Sequence, residues 1–408
     1  MAAKPRILLA WELGGALGHV TKFMLLTERL QALGFEIWVA SQNLTSAESV
    51  LGPLGVRLVQ SPVWLAGPGN IPEPINYAGI LARKGWLSAE GLTGLARGWR
   101  DLVDAIAPCL IVANHAPGLL LGMRGQNLPI VFADTSFGIP PLTQPFPNMR
   151  YWQGESVLPL MREIEARVLV SANQALETLR QPPMQRLCDL FQRVDTCLLN
   201  LPELDHYPER GSADYFGPLY ARNWGESPIW PVGDGMRVFV YLNADHVLFE
   251  PLLNLLGKIP CRVLVYAAKR TAMTLLPNIV IRNSPQNMGE VLASADWVIN
   301  HAGIGLTAQS LLAGVPVLML PNHLEQSMFA VRVAELKAGK VLPNDARLLE
   351  TALRKSLEDQ RYSEHARLFA QRNRDCTLES TLTRLVDHCL AKIDSSGSTR
   401  RSADGDLE

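Results

Sequence analysis

The sequence predicts an α/β protein with two doubly wound parallel sheets, and three observations lead to this fold class. Short apolar runs alternate with helical patterns along most of the 408 residues. The runs are dense in Val, Ile and Leu without polar alternation, which is typical of parallel strands buried on both faces. A segment rich in proline and glycine, residues 204–235, separates two sets of runs. We therefore expect two domains facing a crevice at the carboxyl ends of both sheets.

Eleven apolar runs are candidate strands. Six precede the proline- and glycine-rich segment: Arg6–Trp11, Glu36–Ala40, Val56–Gln60, Cys109–Ala113, Pro129–Ala133 and Thr196–Asn200. Five follow it: Arg237–Leu242, Arg262–Ala267, Asn278–Arg282, Asp296–Asn300 and Val315–Leu320. The predicted organisation is a first domain over 1–215, a linker over 216–235, a second domain over 236–361, a C-terminal helix over 362–393 and a disordered polar tail over 394–408.

Composition excludes several functional classes. The formal net charge of −1 leaves no broad basic field for nucleic acid. The six cysteines never occur as C-x-x-C, which indicates free thiols of a cytoplasmic protein, and no convincing metal cluster is present. Glycines interrupt the first apolar run and no apolar stretch reaches ~20 residues, so we expect neither a signal peptide nor a transmembrane helix.

The stretch "WELGGALGHVTK", residues 11–22, joins the first predicted strand to a helix. Its glycines, Gly14, Gly15 and Gly18, lack the G-x-G-x-x-G spacing of a dinucleotide-binding loop. We therefore interpret them as residues that leave space for substrate and hold His19 at the carboxyl end of the strand. A neutral imidazole there suits proton abstraction near pH 7.

A second motif, "DWVINHAGIGLTAQSLLAGVPVLMLPNHLEQ", occupies residues 296–326. It predicts a strand, a glycine turn and a helix N-terminus, which together suit a diphosphate. The predicted diphosphate ligands are His301, Gly303, Gly305 and Thr307. Gln309 is placed to reach a ribose, and Glu325 and Gln326 to bind sugar hydroxyls.

The pattern H-A-G-x-G-x-T-x-Q, then G-V-P, then P-x-x-x-E-Q resembles the donor-site signature of the GT-B glycosyltransferases. It is most similar to the UDP-glycosyltransferase and macrolide glycosyltransferase (GT1-like) group. A more distant similarity links it to the N-acetylglucosaminyltransferases that act on peptidoglycan lipid intermediates. The resemblance implies two Rossmann-like domains, an N-terminal one for the acceptor and a C-terminal one for the nucleotide sugar, with a C-terminal helix that crosses back to the first domain.

By this resemblance the protein is a bacterial-type, inverting, metal-independent glycosyltransferase. It would move a hexosyl group from a UDP- or dTDP-sugar, its co-substrate, to a hydroxyl of a small-molecule or lipid-like acceptor, without a cofactor. Two alternatives keep the fold: a nucleotide-sugar epimerase or hydrolase, and a non-catalytic nucleotide-sugar-binding protein.

The resemblance also assigns roles to residues outside the two motifs. Asn243 stands where the family has Gly-Ser or Gly-Thr at the diphosphate, and Arg282 precedes the P-Q element at Pro285–Gln286. Gln309 replaces the usual ribose-binding glutamate, which removes a charge-assisted hydrogen bond.

His19 is the candidate base, and the alternative is a histidine that only positions substrate. Relatives orient this histidine with an aspartate after the fourth strand, where the present chain has Asn114. Asparagine fixes the tautomer but does not neutralise an imidazolium. Asp134, after the next strand, or Glu12 is expected to compensate.

Two long loops, residues 62–87 and 136–152, are crowded with proline, glycine and aromatic residues. Loops of this length are usually functional or disordered. They are candidates for the acceptor pocket, although packing beneath the loops is the alternative for any single aromatic residue. Arg83 and Lys84 in the first loop suggest a peripheral contact with a membrane that carries a lipid acceptor.

Overall fold

The computed structural model describes residues 4–15, 17–154, 156–192, 194–221, 224–268 and 276–405. The chain divides into two compact units. The first comprises Met1–Leu201, Tyr207–Gly217 and Thr381–Glu408, and the second comprises Pro202–His206 and Pro218–Ser380. Each unit contains one six-stranded sheet whose neighbouring strands run parallel.

The first unit has the strand order β3-β2-β1-β4-β5-β6. Its strands are β1 (Arg6–Trp11), β2 (Glu36–Ser41), β3 (Arg57–Gln60), β4 (Leu110–Asn114), β5 (Ile130–Asp134) and β6 (Asp195–Leu198). Its first six helices are α1 (Leu17–Ala32), α2 (Leu44–Leu51), α3 (Tyr77–Leu81), α4 (Ala89–Ile106), α5 (Pro117–Gly122) and α6 (Leu158–Thr178). Every residue of β4 and β5 is buried. Because the two strands are parallel neighbours, the polar residues that end them lie side by side at the carboxyl edge of the sheet.

The second unit has the strand order β12-β11-β10-β7-β8-β9. Its strands are β7 (Met236–Tyr241), β8 (Cys261–Tyr266), β9 (Ile279–Arg282), β10 (Trp297–Asn300), β11 (Val317–Met319) and β12 (Gly339–Val341). Among its described residues, the α-helices are α7 (Phe249–Leu256), α8 (Met288–Ser294), α9 (Ile304–Leu312), α10 (Leu324–Glu335), α11 (Ala346–Glu358) and α12 (Arg361–Arg372). One apolar core joins α7 and α11 to the sheet through Leu253, Leu353 and Val240.

All eleven predicted strands are present, with ends within two residues of the predicted ones. The strand that the sequence did not reveal, β12, has three residues and lies at the edge of its sheet. The predicted linker, 216–235, divides between the units after Gly217. Part of it is fixed to the second sheet's loops, because Glu226 forms a parallel bridge with Gln286.

The prediction of a single C-terminal helix is wrong, because the chain forms α12 and a separate helix, α13 (Leu378–Gly405). The break arises where Thr377 and Ser380 cap the new helix: the backbone N–H of each donates to the other's side chain, at 2.9 and 3.0 Å. From Thr381 onward α13 belongs to the first unit, where Lys392 pairs with Asp195 at 2.7 Å. The predicted return of the C-terminal helix to the first domain is thus confirmed.

The C-terminal tail also differs from its prediction. Helical backbone continues to Gly405, where disorder was expected from residue 394. No proline interrupts this stretch, so the hydrogen bonds from each N–H to the carbonyl four residues earlier can continue. Residues 406–408 of the predicted tail lie outside the described residues.

Candidate active site

His19 lies in the first turn of α1, directly after the glycine-rich loop that follows β1. Its imidazole stacks on the indole ring of Trp11, with ring centroids 5.1 Å apart and planes inclined by 16°. Gly14 has a φ of +98°, and a Cβ atom there would lie 2.5 Å from His19 Nε2. A Cβ atom at Gly15 or Gly18 would meet nothing within 4 Å. The absence of a side chain at Gly14 therefore keeps a methyl group off Nε2.

Asn114, the last residue of β4, contacts the other ring nitrogen. Its Oδ1 lies 2.5 Å from His19 Nδ1. Its amide nitrogen donates to the Ala133 carbonyl at 2.7 Å and to Asp134 Oδ1 at 3.0 Å. Because the amide nitrogen already has two acceptors, Oδ1 is the atom that faces His19, and it accepts the Nδ1–H hydrogen bond. This tautomer leaves a lone pair on Nε2.

Asp134 ends β5 and lies buried behind Asn114. Its Oδ1 also accepts a hydrogen bond from the backbone N–H of Thr135 at 2.7 Å and lies 3.6 Å from Lys22 Nζ. Burial alone would raise the pKa of Asp134, but Lys22, neighbouring histidines and the Thr135 N–H together hold it below its ordinary value. A charged carboxylate therefore stands behind Asn114.

The surroundings of His19 keep its imidazole neutral. Burial lowers the pKa of His19 from 6.5 to about 4, and the positive charge of Lys22 acts in the same direction, while Asp134 opposes both. At pH 7 the Nε2 lone pair is therefore free to accept a proton. Three residues from neighbouring elements, His19, Asn114 and Asp134, form one hydrogen-bonded chain that can orient and support a general base.

Glu12 does not stand behind His19, although it was a candidate for that position. Its buried carboxyl group accepts hydrogen bonds from Trp99 Nε1 and from the backbone N–H of Leu119, both at 3.1 Å. Burial raises the pKa of Glu12 to about 8, against the effect of these hydrogen bonds. Glu12 thus holds the first turn of α5, and Asp134 is the acid in the chain from His19.

In the second unit, the turn between β10 and α9 presents an open helix N-terminus. Helix α9 begins at Ile304, and its N-cap residue is Gly303, which has no side chain that could cap the helix. A Cβ atom at Gly303 would meet nothing within 4 Å, and one at Gly305 would first meet Tyr220 at 3.7 Å. Backbone N–H groups and the positive end of the helix dipole are therefore accessible to an anion.

Asn300, the last residue of β10, shapes this turn. Its Oδ1 accepts hydrogen bonds from the Ala302 N–H at 2.7 Å and from the Thr307 hydroxyl at 3.2 Å. Ala302 has a φ of +60°, a conformation that L-residues seldom adopt. The Thr307 side chain, predicted to donate to a diphosphate, is buried and bonded to Asn300 instead. In this structure Thr307 contributes to the shape of the turn.

His301 and Asn243, both predicted in the donor site, lie together. His301 Nε2 accepts a hydrogen bond from the Asn243 N–H at 2.6 Å. The ring proton therefore lies on Nδ1, which is 3.4 Å from the Leu320 carbonyl and 3.0 Å from the Asn322 amide. Burial lowers the pKa of His301. This neutral imidazole links the loops that follow β7, β10 and β11.

The remaining predicted donor-site residues occupy three elements of the second unit. Gln309, predicted to reach a ribose, is buried in α9. Glu325 and Gln326 begin α10, and Gln326 Oε1 accepts the Asn322 N–H at 2.8 Å. Arg282 ends β9. The structure therefore brings Gln326 and His301 together at Asn322, Glu325 lies next to Gln326 in α10, and Arg282 stands at the end of a different strand.

The described part of the chain contains neither a metal-binding cluster nor a membrane-spanning helix. No three His, Cys, Asp or Glu side chains among these residues are grouped so that they could hold an ion. No helix there is long and apolar enough to cross a bilayer.

Comparison with known proteins finds relatives of this chain among the glycosyltransferases. The family described as erythromycin biosynthesis protein CIII-like, C-terminal domain, matches residues 250–388. A PGL/p-HBAD biosynthesis rhamnosyltransferase of Mycobacterium bovis is 24% identical over 368 residues, which cover 84% of this chain and 78% of the relative. The chain is a glycosyltransferase, and it is similar to the GT1-like group.

Solved structures share the fold of this glycosyltransferase. The glycosyltransferase of kitacinnamycin superposes with a TM-score of 0.69 at 16% identity, over 96% of this chain and all of the other. Glycosyltransferase VinC in complex with DTDP gives a TM-score of 0.58 at 15% identity, over 96% of this chain and 100% of that one. The predicted fold class, enzyme class and main function are confirmed, in preference to an epimerase, a hydrolase or a non-catalytic binding protein.

Three residues of this glycosyltransferase's candidate site were missed by the sequence reasoning. Lys22 lies three residues after His19, a spacing that places both on one helix face and was a usable signal. Asn300 is a polar residue at the end of a buried apolar strand, and that position was a second usable signal. Trp11 looked like an ordinary core residue, and only the stacking distance reveals its contact with His19.

Proposed function

We propose that this glycosyltransferase moves a hexosyl group, with inversion, from a UDP- or dTDP-sugar to a hydroxyl of a small-molecule or lipid-like acceptor, with His19 as the base. The hydrogen-bonded chain from His19 through Asn114 to Asp134 carries the proposal, because it fixes the tautomer whose lone pair is on Nε2. As the acceptor oxygen bonds to the anomeric carbon, its proton passes to Nε2 and the nucleoside diphosphate leaves.

Asn114 and Asp134 have separate roles in this proposal. Asn114 holds the tautomer, since its Oδ1 accepts the Nδ1–H bond. Asp134 supplies the negative charge that stabilises the imidazolium, acting through the Asn114 amide at 3.0 Å. Because Asn114 stands between His19 and Asp134, the carboxylate leaves His19 neutral before the reaction. Its negative charge then stabilises the imidazolium that forms when the proton is transferred.

The second unit is proposed to hold the leaving diphosphate. The uncapped N-terminus of α9, with Gly303 and Gly305 open to an anion, would stabilise the developing charge without a resident metal ion. We assign Glu325 and Gln326 to the hydroxyls of the transferring sugar, and His301 and Asn243 to the phosphate-side loop. Activity that persists in EDTA supports this assignment, and loss of activity restored by a divalent ion contradicts it.

The donor is best sought first among dTDP-deoxyhexoses. The mycobacterial relative is a rhamnosyltransferase, and VinC was solved with DTDP. A thermal-shift screen of UDP-, dTDP- and GDP-sugars should show stabilisation by the true donor. Gly303→Val should abolish that shift, because a branched side chain would obstruct the open helix N-terminus. Gly94→Val, at an open position in α4 without a positive φ, serves as the control.

Turnover tests the proposed base directly. His19→Ala should lower kcat by roughly 10²- to 10⁴-fold, the usual contribution of a general base. His365→Ala, at a half-buried histidine of α12 in the second unit, should leave kcat unchanged. Product analysis by NMR should show a glycoside of inverted anomeric configuration. Wild-type-like turnover by His19→Ala would rule out the base, and release of free sugar alone would indicate a hydrolase.

A peripheral membrane contact is proposed at the loop over residues 62–87. Leu65 is 90% exposed, and the neighbouring Trp64 ring lies against Gly85, next to exposed Lys84. Arg83 is already engaged by Glu73 at 3.0 Å and by the Ile71 carbonyl. Leu65→Asp/Lys84→Glu should therefore reduce co-sedimentation with anionic vesicles more than Arg83→Gln does. Equal co-sedimentation of wild type and double variant would contradict the contact.

A further inference from the structure

Two tyrosines form an aromatic pair at the carboxyl edge of the second sheet. The rings of Tyr241 and Tyr266 lie 5.4 Å apart between centroids, with planes inclined by only 8°. The two residues are also register partners, at the ends of β7 and β8. Tyr241 is 43% exposed and Tyr266 is partly buried. The core contacts of these two strands are made by fully buried residues such as Val240 and Val265, so an exposed stacked pair is not required by the core.

Strand register places this pair beside the turn that shapes the α9 N-terminus. Tyr241 is the register partner of Asn300, whose side chain holds Ala302 and Thr307. Tyr266 lies one strand further from that turn, and Arg282 is its partner on the other side. With neighbouring strands about 4.8 Å apart, Tyr266 stands about 10 Å from Asn300 along the sheet edge.

We propose that the Tyr241–Tyr266 pair is the stacking surface for the base of the nucleotide sugar. The inference rests on the proposed donor site at α9 and adds the part of that site which holds the base. A diphosphate at the helix N-terminus leaves its nucleoside within reach of a flat aromatic surface one to two strands away. Stacking is tolerant of base identity because every base has a π-face, so this surface binds uracil and thymine alike.

Isothermal titration with dTDP, with UDP and with inorganic pyrophosphate tests this role. Tyr241→Leu and Tyr266→Leu should each weaken dTDP and UDP binding, together by roughly ten- to a hundredfold, while pyrophosphate binding stays at the wild-type value. The matched variants Tyr241→Phe and Tyr266→Phe keep the rings and should bind dTDP as the wild type does.

Different failures separate this inference from the proposed function. Leucine variants that bind dTDP as tightly as the wild type would overturn the stacking role and leave the donor site intact. An equal loss of pyrophosphate affinity would place the effect in the diphosphate turn and also overturn stacking. A wild-type protein that binds neither dTDP nor UDP would overturn the donor site together with the stacking surface.

Discussion

Gly14 lies against His19 so closely that a Cβ atom on residue 14 would be 2.5 Å from the imidazole Nε2. The backbone of Gly14, at a φ of +98°, adopts a conformation that L-residues rarely occupy. The glycine therefore has two separable functions: it permits the turn after β1, and it keeps the reactive nitrogen of the proposed base uncovered.

Gly14→Ala is expected to lower kcat at least tenfold, because its methyl group must displace the imidazole or cover Nε2. Gly34→Ala is the matched control, since Gly34 has a φ of +93° but nothing within 4 Å of a Cβ atom. Both variants should lose about 1 kcal/mol of stability from backbone strain. Steady-state kinetics and thermal unfolding separate the two effects, and equal activity in the two variants would contradict a steric role at Nε2.

The pH profile depends on which group faces Nδ1 of His19. With a pKa of about 4, the wild-type imidazole is neutral from pH 5 upward, so kcat/KM should show no acid limb near pH 6.5. The double variant Asn114→Asp/Asp134→Asn exchanges the amide and the acid. A carboxylate next to Nδ1 favours the imidazolium, which raises the pKa of His19 and moves the acid limb to higher pH.

The single variant Asn114→Asp provides the control for that exchange. It places two carboxyl groups at the 3.0 Å contact with Asp134, so it should be clearly less stable than either the wild type or the double variant. Profiles of kcat/KM from pH 5 to 9, with thermal unfolding of all three proteins, measure both effects. If the double variant keeps the wild-type profile, His19 is not the group whose ionisation controls the rate.

Glu12 should make stability depend on pH. Its pKa is raised from 4.5 to about 8 in the folded protein, so the folded state keeps a proton that the unfolded chain releases above pH 4.5. The stability of the fold therefore falls as the pH rises from about 4.5 to 8. Glu12→Gln retains an acceptor oxygen for Leu119 and Trp99 without titrating. Its Tm should vary less between pH 5 and 8, whereas the exposed Glu90→Gln should keep the wild-type slope.

Asn300 should matter for donor binding as well as for stability. Asn300→Ala removes the acceptor of the Ala302 and Thr307 hydrogen bonds, so the turn before α9 should lose its shape and donor affinity should fall at least tenfold. Asn278→Ala is the control, since the Asn278 amide donates to backbone carbonyls outside the α9 turn, those of Leu256 and Cys261. It should lower Tm and leave the titrated donor affinity unchanged. Equal affinities would contradict a role of Asn300 in shaping the site.

Local pattern made much of this protein predictable. Hydrophobic runs located eleven strands because burial on both faces leaves a signal in each segment by itself. Glycines before an apolar helix revealed the turn that precedes α9, and the same logic located the loop that carries His19. The break between α12 and α13 was missed because Thr377 and Ser380 form a cap whose sequence also fits a continuous helix.

The sequence by itself determined two parallel sheets, a glycine loop with a histidine, and a helix N-terminus suited to a diphosphate. Only the tertiary structure decided which acid supports His19. Asn114 lies 95 residues from His19 and 20 from Asp134 along the chain, and they meet because β1, β4 and β5 are neighbours in one sheet. Such contacts depend on strand order, and the composition of a single segment carries no information about that order. The same order brings Tyr241 and Tyr266 together beside the turn at Asn300.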